Sequence, residues 1–285
     1  MNNVIVLGAN GQLGSALVLQ SKGLFMQPLT RSKFDAEQDD LESNLGSYKD
    51  ANYLINCIAY HKVDECESNP KKSFSLNAEF PHKLAKFCKD NNICLIHIST
   101  DYVFDGESQN GYTETDKPSP LNIYGQSKLK GEELIKDTTS KYFIFRISSL
   151  YGRRMNDESN YNFVRKMISS YNDKIQLRVI ENQFMSPTYA VDAANAILAV
   201  ITSGNEDYGL YHLCNSGNCS WYQFAKKIFE LLNVTMDIEP VSYTEFHTKA
   251  KRPQYSTLDN SKLNKIYEMR NWQEALQEYI SPAVG

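Results

Sequence analysis

Tyr124-Gly125-Gln126-Ser127-Lys128, read with Ser99-Thr100-Asp101 upstream, is the part of this chain whose residue types and spacing could do chemistry. Tyr124 and Lys128 are four residues apart, so on a helix both side chains project from one face about a turn apart. An ammonium ion beside a phenol favours the phenolate, and a tyrosine tuned in this way can give up a proton near neutral pH. Thr100 adds a hydroxyl able to hold a substrate carbonyl. Together the three groups point to proton transfer coupled to carbonyl reduction. The spacing alone also occurs on ordinary exposed helix faces, so the elements around it decide.

Those elements alternate. Apolar runs at 4–7, 26–30, 53–57, 94–99 and 142–147 are predicted strands, and helical patterns at 12–20 and 70–91 fall between them. Pro81 is expected to kink the second helix or divide it. Apolar strands separated by crossover helices predict an α/β fold with a Rossmann-type doubly wound parallel sheet covered on both faces. Residues 102–123, rich in Pro, Gly and polar residues, read as an ordered active-site loop. The second half is less regular, with helices at 189–201 and 220–232 and short strands at 176–180 and 210–214. Polar surface loops are expected at 153–162 and 203–208. The expected division is a dinucleotide-binding domain over 1–150, also receiving the helix near 189–203. A smaller, mixed α/β, mainly substrate-binding domain covers 151–285.

Gly8-Ala9-Asn10-Gly11-Gln12-Leu13-Gly14 follows the first strand and opens the first helix. Gly8 suits a tight turn, Gly11 lets the backbone approach a pyrophosphate, and Gly14 allows close packing of helix on strand. Free N–H groups at the helix N-terminus would hold the phosphates. At the end of the second strand, where the adenosine ribose is met, stand Thr30, Arg31 and Ser32. Arg31 suits a 2′-phosphate and leans the reading toward NADPH, with NADH left open. Asp35 is placed near the adenine.

The 285 residues suit one large or two intimate domains, and the hydrophobic (41%) and charged (22%) contents are those of a soluble globular protein. A net charge of −4 with dispersed Lys and Arg gives no basic block for a nucleic acid. The chain passes from Met1-Asn2-Asn3 straight into an apolar run, so no secretory signal is read, and no apolar run is long enough to span a membrane. Six cysteines lack metal-site spacing, which predicts reduced thiols in a cytoplasmic protein.

From end to end the chain resembles the extended short-chain dehydrogenase/reductases and, within them, the dTDP-4-dehydrorhamnose reductase family. The resemblance rests on Gly8 to Gly14, on Ile58-Ala59-Tyr60-His61-Lys62-Val63-Asp64 with Glu67, and on Ser99-Thr100-Asp101-Tyr102-Val103-Phe104-Asp105-Gly106. It continues through Pro120-Leu121-Asn122, Tyr124-Gly125, Ser127-Lys128-Leu129, Gly131-Glu132, Phe145-Arg146, Tyr151-Gly152, Pro187-Thr188 and Arg252-Pro253. It implies that Tyr124 protonates the C4 oxygen of a nucleotide-linked 4-keto sugar and that Thr100 bonds the same oxygen. Lys128 would bind the nicotinamide ribose and lower the proton affinity of Tyr124. Asp101 would touch the sugar, and Arg252 would meet the diphosphate. The cofactor would be held by Asn10, Gly11, Gln12 and Leu13 and, at the third strand, by Cys57, Ile58 and Ala59.

Two departures bear on the substrate. Ser149 stands where the family usually has a Trp against the sugar, and Met185 where a small residue is usual, so Met185 could narrow what Ser149 opens. Ala16 replaces a Glu that in some members holds Mg²⁺ at a dimer contact, so no metal is expected. The implied activity is NADPH-dependent reduction of dTDP-4-dehydro-L-rhamnose to dTDP-L-rhamnose for cell-surface polysaccharide. The expected partner is the nucleotide-sugar substrate, with a homodimer left open. Alternatives are a UDP-, GDP- or other dTDP-keto-sugar, or a non-catalytic NADP-binding subunit of the kind seen in methionine adenosyltransferase. His61 is read as a structural hydrogen-bonding residue, and Trp221 as core or pocket wall.

Overall fold

The computed structural model describes residues 2–155, 162–173, 175–246 and 248–281. Most of the loop expected at 153–162 lies outside the described residues. Six strands form one parallel sheet: β1 (Asn3–Leu7), β2 (Phe25–Leu29), β3 (Tyr53–Asn56), β4 (Cys94–Thr100), β5 (Tyr142–Ile147) and β6 (Gly209–His212), in the order β2-β1-β3-β4-β5-β6. The central strands are almost wholly buried, as their unbroken apolar runs require in a sheet covered on both faces. Pro28 is accommodated because β2 is an edge strand. β6 comes from the second half of the sequence, so that half also contributes a strand to the sheet.

The longer helices are α1 (Gln12–Gln20), α2 (Phe80–Asp90), α3 (Ile123–Thr138), α4 (Phe163–Asn172), α5 (Ala190–Thr202), α6 (Trp221–Leu231) and α7 (Trp272–Ile280). α1 and α5 share one core with one face of the sheet, through Leu13, Leu17, Ala193 and Ile197. α2 and α3 cover the other face, through Leu84, Phe87 and Ile135. A separate core joins α4, α6 and α7 through Met167, Phe224, Ile228 and Leu276. Among the described residues no helix is long and apolar enough to cross a membrane.

The helix expected at 70–91 is broken before Pro81 rather than at it. Pro70–Phe74 is α-helical, Ser75–Glu79 widens into a π turn, and α2 then carries Pro81 in its first turn. Pro81 has no N–H to give the carbonyl four residues back, that of Asn77, and a π turn absorbs the mismatch. The Asn77 side chain accepts from the Tyr60 N–H at 2.8 Å and donates to the Ser127 hydroxyl at 3.0 Å. The widened turn thus ties the loop after β3 to the helix that carries Tyr124.

Candidate active site

α3 is fixed at its start. Asn122 caps it, accepting from the Gly125 N–H and donating to the Lys251 carbonyl, both at 2.8 Å. Glu67 accepts from the Ile123 N–H at 2.8 Å. These bonds satisfy N–H groups that a helix start leaves free, and they set the rotation at which Tyr124 and Lys128 leave the helix. The loop over 102–123 is ordered, with Tyr112 stacked on Phe104 at 4.0 Å between ring centroids. Of its residues Tyr102 lines the cleft.

The C-terminal ends of β1, β3, β4 and β5 open on a cleft of about 840 Å³. The turn from Gly8 to Gly14 lies at the β1 end, with Gly8, Asn10, Gly11, Gln12, Leu13 and Gly14 on its wall. Gly8 has φ +74°, and a Cβ on Gly14 would overlap the Gly8 carbonyl oxygen. Both positions therefore need glycine. α1 has no side-chain cap at Gly11, which leaves its first N–H groups open to an anion. Cys57, Ile58 and Ala59 continue the wall from β3, and Thr100, Asp101, Tyr124 and Lys128 form it at β4 and α3. A cradle of bare backbone at one end and proton-bearing side chains at the other fits a dinucleotide in extended form.

The polar groups at β4 and α3 are tightly engaged. Thr100 donates to Asp101 Oδ1 at 3.1 Å and accepts from the Tyr102 N–H at 3.2 Å, and it lies close enough to the Tyr124 phenol to influence its proton. Asp101 also accepts from Ser148 at 2.8 Å. Burial pushes the Asp101 carboxyl up to about 6, against the pull of hydrogen bonds from Ser256, Ser148 and Thr100. Lys128 is 1% exposed and donates to the Ile98 carbonyl at 2.6 Å. Burial brings its ammonium down to about 8, against the opposing charge of Glu132.

The expectation that Lys128 lowers the proton affinity of Tyr124 needs correction. Burial raises the phenol above its ordinary value, and the chief influence in the other direction is Thr100 rather than Lys128. The physical reason is where the ammonium is engaged: Lys128 Nζ donates to the Ile98 carbonyl, with His97 Nε2 3.1 Å away.

Arg31 lines the far end of the cleft but is paired, with Asp35 and Glu37 each at 3.1 Å. Asp35 lines the same end. Ser149 lines the cleft at φ +44°, a strained backbone for a side chain other than glycine. Met185 does not narrow that space. It is buried in the core of α4, α6 and α7, where its short strand pairs with Cys219–Ser220. Trp221, at the start of α6, reaches the cleft instead. Arg252 lies off the wall, bonded to Asp64 at 2.7 Å and in contact with Tyr102, which does line it. His61 is an exposed residue of the wall.

The residues beneath this wall have roles that the sequence alone does not assign. Glu132 pairs with Arg146 through two bonds of 2.9 and 2.7 Å and accepts from Ser99 at 2.6 Å, all fully buried. Burial pushes the Glu132 carboxyl up, but Arg146 and Ser99 outweigh it and hold the group below its usual value. Asn56 and His97 sit side by side in register on β3 and β4, also buried. A polar residue inside an otherwise apolar strand was the available signal for both.

A family model described as the RmlD substrate binding domain matches residues 1–284. The chain is 37% identical over 284 residues to the spore coat polysaccharide biosynthesis protein SpsK of Bacillus subtilis, covering 98% of this chain and 97% of that one. It is 32% identical over 289 residues to a dTDP-4-dehydrorhamnose reductase of Sinorhizobium fredii, covering 96% and 95%. The crystal structure of dTDP-4-dehydrorhamnose reductase from Bacillus anthracis in complex with NADP matches with a TM-score of 0.90 and 36% identity, over 98% of this chain and 99% of that one. Fold and site define an NAD(P)H-dependent oxidoreductase of the extended short-chain dehydrogenase/reductase class. Within that class the chain belongs to the dTDP-4-dehydrorhamnose reductase family.

Proposed function

We propose that the chain reduces the 4-keto group of a nucleotide-activated 6-deoxy sugar with NADPH, taking dTDP-4-dehydro-L-rhamnose to dTDP-L-rhamnose in the cytoplasm for cell-surface polysaccharide. The observation that carries the reading is the convergence of Thr100, Tyr124 and Lys128 on the cleft whose other end is the Gly8–Gly14 turn. A relative named for spore coat polysaccharide synthesis supports the surface role.

The first-turn N–H groups of α1 would hold the pyrophosphate, Arg31 the 2′-phosphate, and Cys57 to Ala59 the nicotinamide half. NADPH, when bound, supplies the hydride. Tyr124 gives its proton to the C4 oxygen as negative charge grows there, so little charge accumulates. The Thr100 hydroxyl, which in the structure donates to Asp101, can turn its proton to the Tyr124 oxygen and so eases loss of the phenol proton. Asp101 orients that hydroxyl and meets the sugar. Lys128 adds positive charge beside the phenol and binds ribose hydroxyls. Arg252 supports the diphosphate end through Tyr102. Incubation with NADPH and dTDP-4-dehydro-L-rhamnose should consume NADPH and yield dTDP-L-rhamnose; no consumption would sink the proposal.

Ser149, a small hydroxyl on the cleft wall, favours a second reading in which the substrate is another dTDP-, UDP- or GDP-linked keto-sugar. Comparing kcat/KM across a panel of such sugars decides between the two.

A further inference from the structure

Two buried polar side chains, to which the reduction gives no task, stand in a row with Lys128. Asn56 ends β3, His97 lies beside it on β4, and both are completely buried. The Ile58 N–H donates to Asn56 Oδ1 at 3.0 Å. A backbone N–H can only donate, so it fixes which end of the amide is oxygen. Asn56 Nδ2 then faces His97 Nδ1 as a donor at 3.1 Å, and Nδ1 has to accept. Burial, with Lys128 nearby, holds the His97 imidazole well below its usual value, so the ring is neutral and carries one proton. With Nδ1 accepting, that proton sits on Nε2, 3.1 Å from Lys128 Nζ. An ammonium has three donors and no lone pair, whereas a neutral amine can accept. The Nε2–H therefore opposes the charged form of Lys128 and suits the uncharged one.

We propose that Asn56 and His97 are positioning residues that make the charge on Lys128 conditional: the amide sets the imidazole tautomer, and the imidazole N–H competes with the ammonium. Other groups around Lys128 act as well. Glu132, a turn further along α3, favours the ammonium, while burial works against it. Tyr124, a turn earlier on α3, completes the set. For the reaction this rests on the reading of Lys128 as the cation that assists Tyr124. The consequence is a lysine that changes charge close to neutral pH rather than far above it.

Asn56→Asp tests the relay without removing a side chain from the cleft wall. One carboxylate oxygen keeps the Ile58 bond and the other demands a proton from His97 Nδ1, which turns Nε2 into an acceptor for the ammonium. Nitrogen NMR of histidine-labelled protein should find the His97 proton on Nε2 in the wild type and on Nδ1 in Asn56→Asp. Carbon NMR of labelled lysine should find the Lys128 midpoint at or below about 8. In Asn56→Asp it should move up by about one unit or more, because the ammonium gains a hydrogen-bond acceptor in place of a competing N–H. The same change in a His97→Gln background should shift it far less, because the tautomer rather than the added charge transmits the effect. A wild-type proton on Nδ1, an unchanged Lys128 midpoint, or an equal shift in the His97→Gln background would each overturn the proposal. The alkaline limb of kcat/KM for keto-sugar reduction should follow the Lys128 midpoint. If tautomer and midpoint move and the limb does not, the relay stands and the role given to Lys128 in the reduction fails.

Discussion

The wall made by β4 and α3 and the wall made by Ser149 and Trp221 face one cleft but are held differently. On the first, Thr100, Asp101 and Lys128 are buried and bonded, and the helix behind them is capped from two directions. The fully buried Glu132–Arg146 pair braces that helix against the sheet. The second wall combines a residue with left-handed backbone and a tryptophan at a helix start, which rests on Phe163 with 4.6 Å between ring centroids. The difference teaches a division of labour. Thr100, Asp101 and Lys128 are held by a buried network, whereas Trp221 sits at the margin of a separate core.

Tyr124→Phe attacks the first wall most directly. It should lower kcat by about 10²–10⁴-fold, the usual worth of a positioned acid, and leave NADPH affinity within about threefold by fluorescence titration. Glu132→Ala should be the largest change in stability. It leaves the buried Arg146 without its partner and should cost about 3–5 kcal/mol in urea unfolding. A loss below about 1 kcal/mol would show that the brace is dispensable.

The pH profile probes the same wall more gently. On the proposed role of Lys128 the ammonium assists Tyr124, and burial brings it down to about 8, so kcat/KM should fall as pH rises through that value. The sign for stability is opposite. The folded state releases this proton at lower pH than the unfolded chain, so the Lys128 contribution to stability grows between about 8 and the ordinary lysine value. Trp221→Ala, on the second wall, should have the smallest effect. KM should rise by about five- to tenfold, in keeping with the ~1 kcal/mol worth of an aromatic contact, with kcat nearly unchanged. A kcat loss approaching that of Tyr124→Phe would erase the distinction between the walls.

The first wall was legible in the sequence because its constraints are local. Three glycines after an apolar strand, a tyrosine and lysine one turn apart, and a threonine at a strand end each imply a position without knowledge of distant residues. What was missed depends on register and packing between segments far apart in the chain. Asn56 and His97 matter because β3 and β4 align them, and that pairing brings His97 Nε2 within 3.1 Å of Lys128 Nζ. Met185 was expected at the pocket, but its two-residue strand pairs with Cys219–Ser220 and draws it into the core. Arg252 was read as free to meet a diphosphate, whereas Asp64, in a segment far earlier in the chain, holds it.

The account's central claim is that Tyr124 protonates, and hydride reaches, the same carbonyl of the sugar. The most direct measurement is product analysis after reaction of dTDP-4-dehydro-L-rhamnose with NADPH deuterated at the transferable position, for wild type and Tyr124→Phe. The account predicts deuterium at C4 of dTDP-L-rhamnose in the wild type and almost no product from the variant. Product without deuterium at C4, or equal turnover by both proteins, would contradict it.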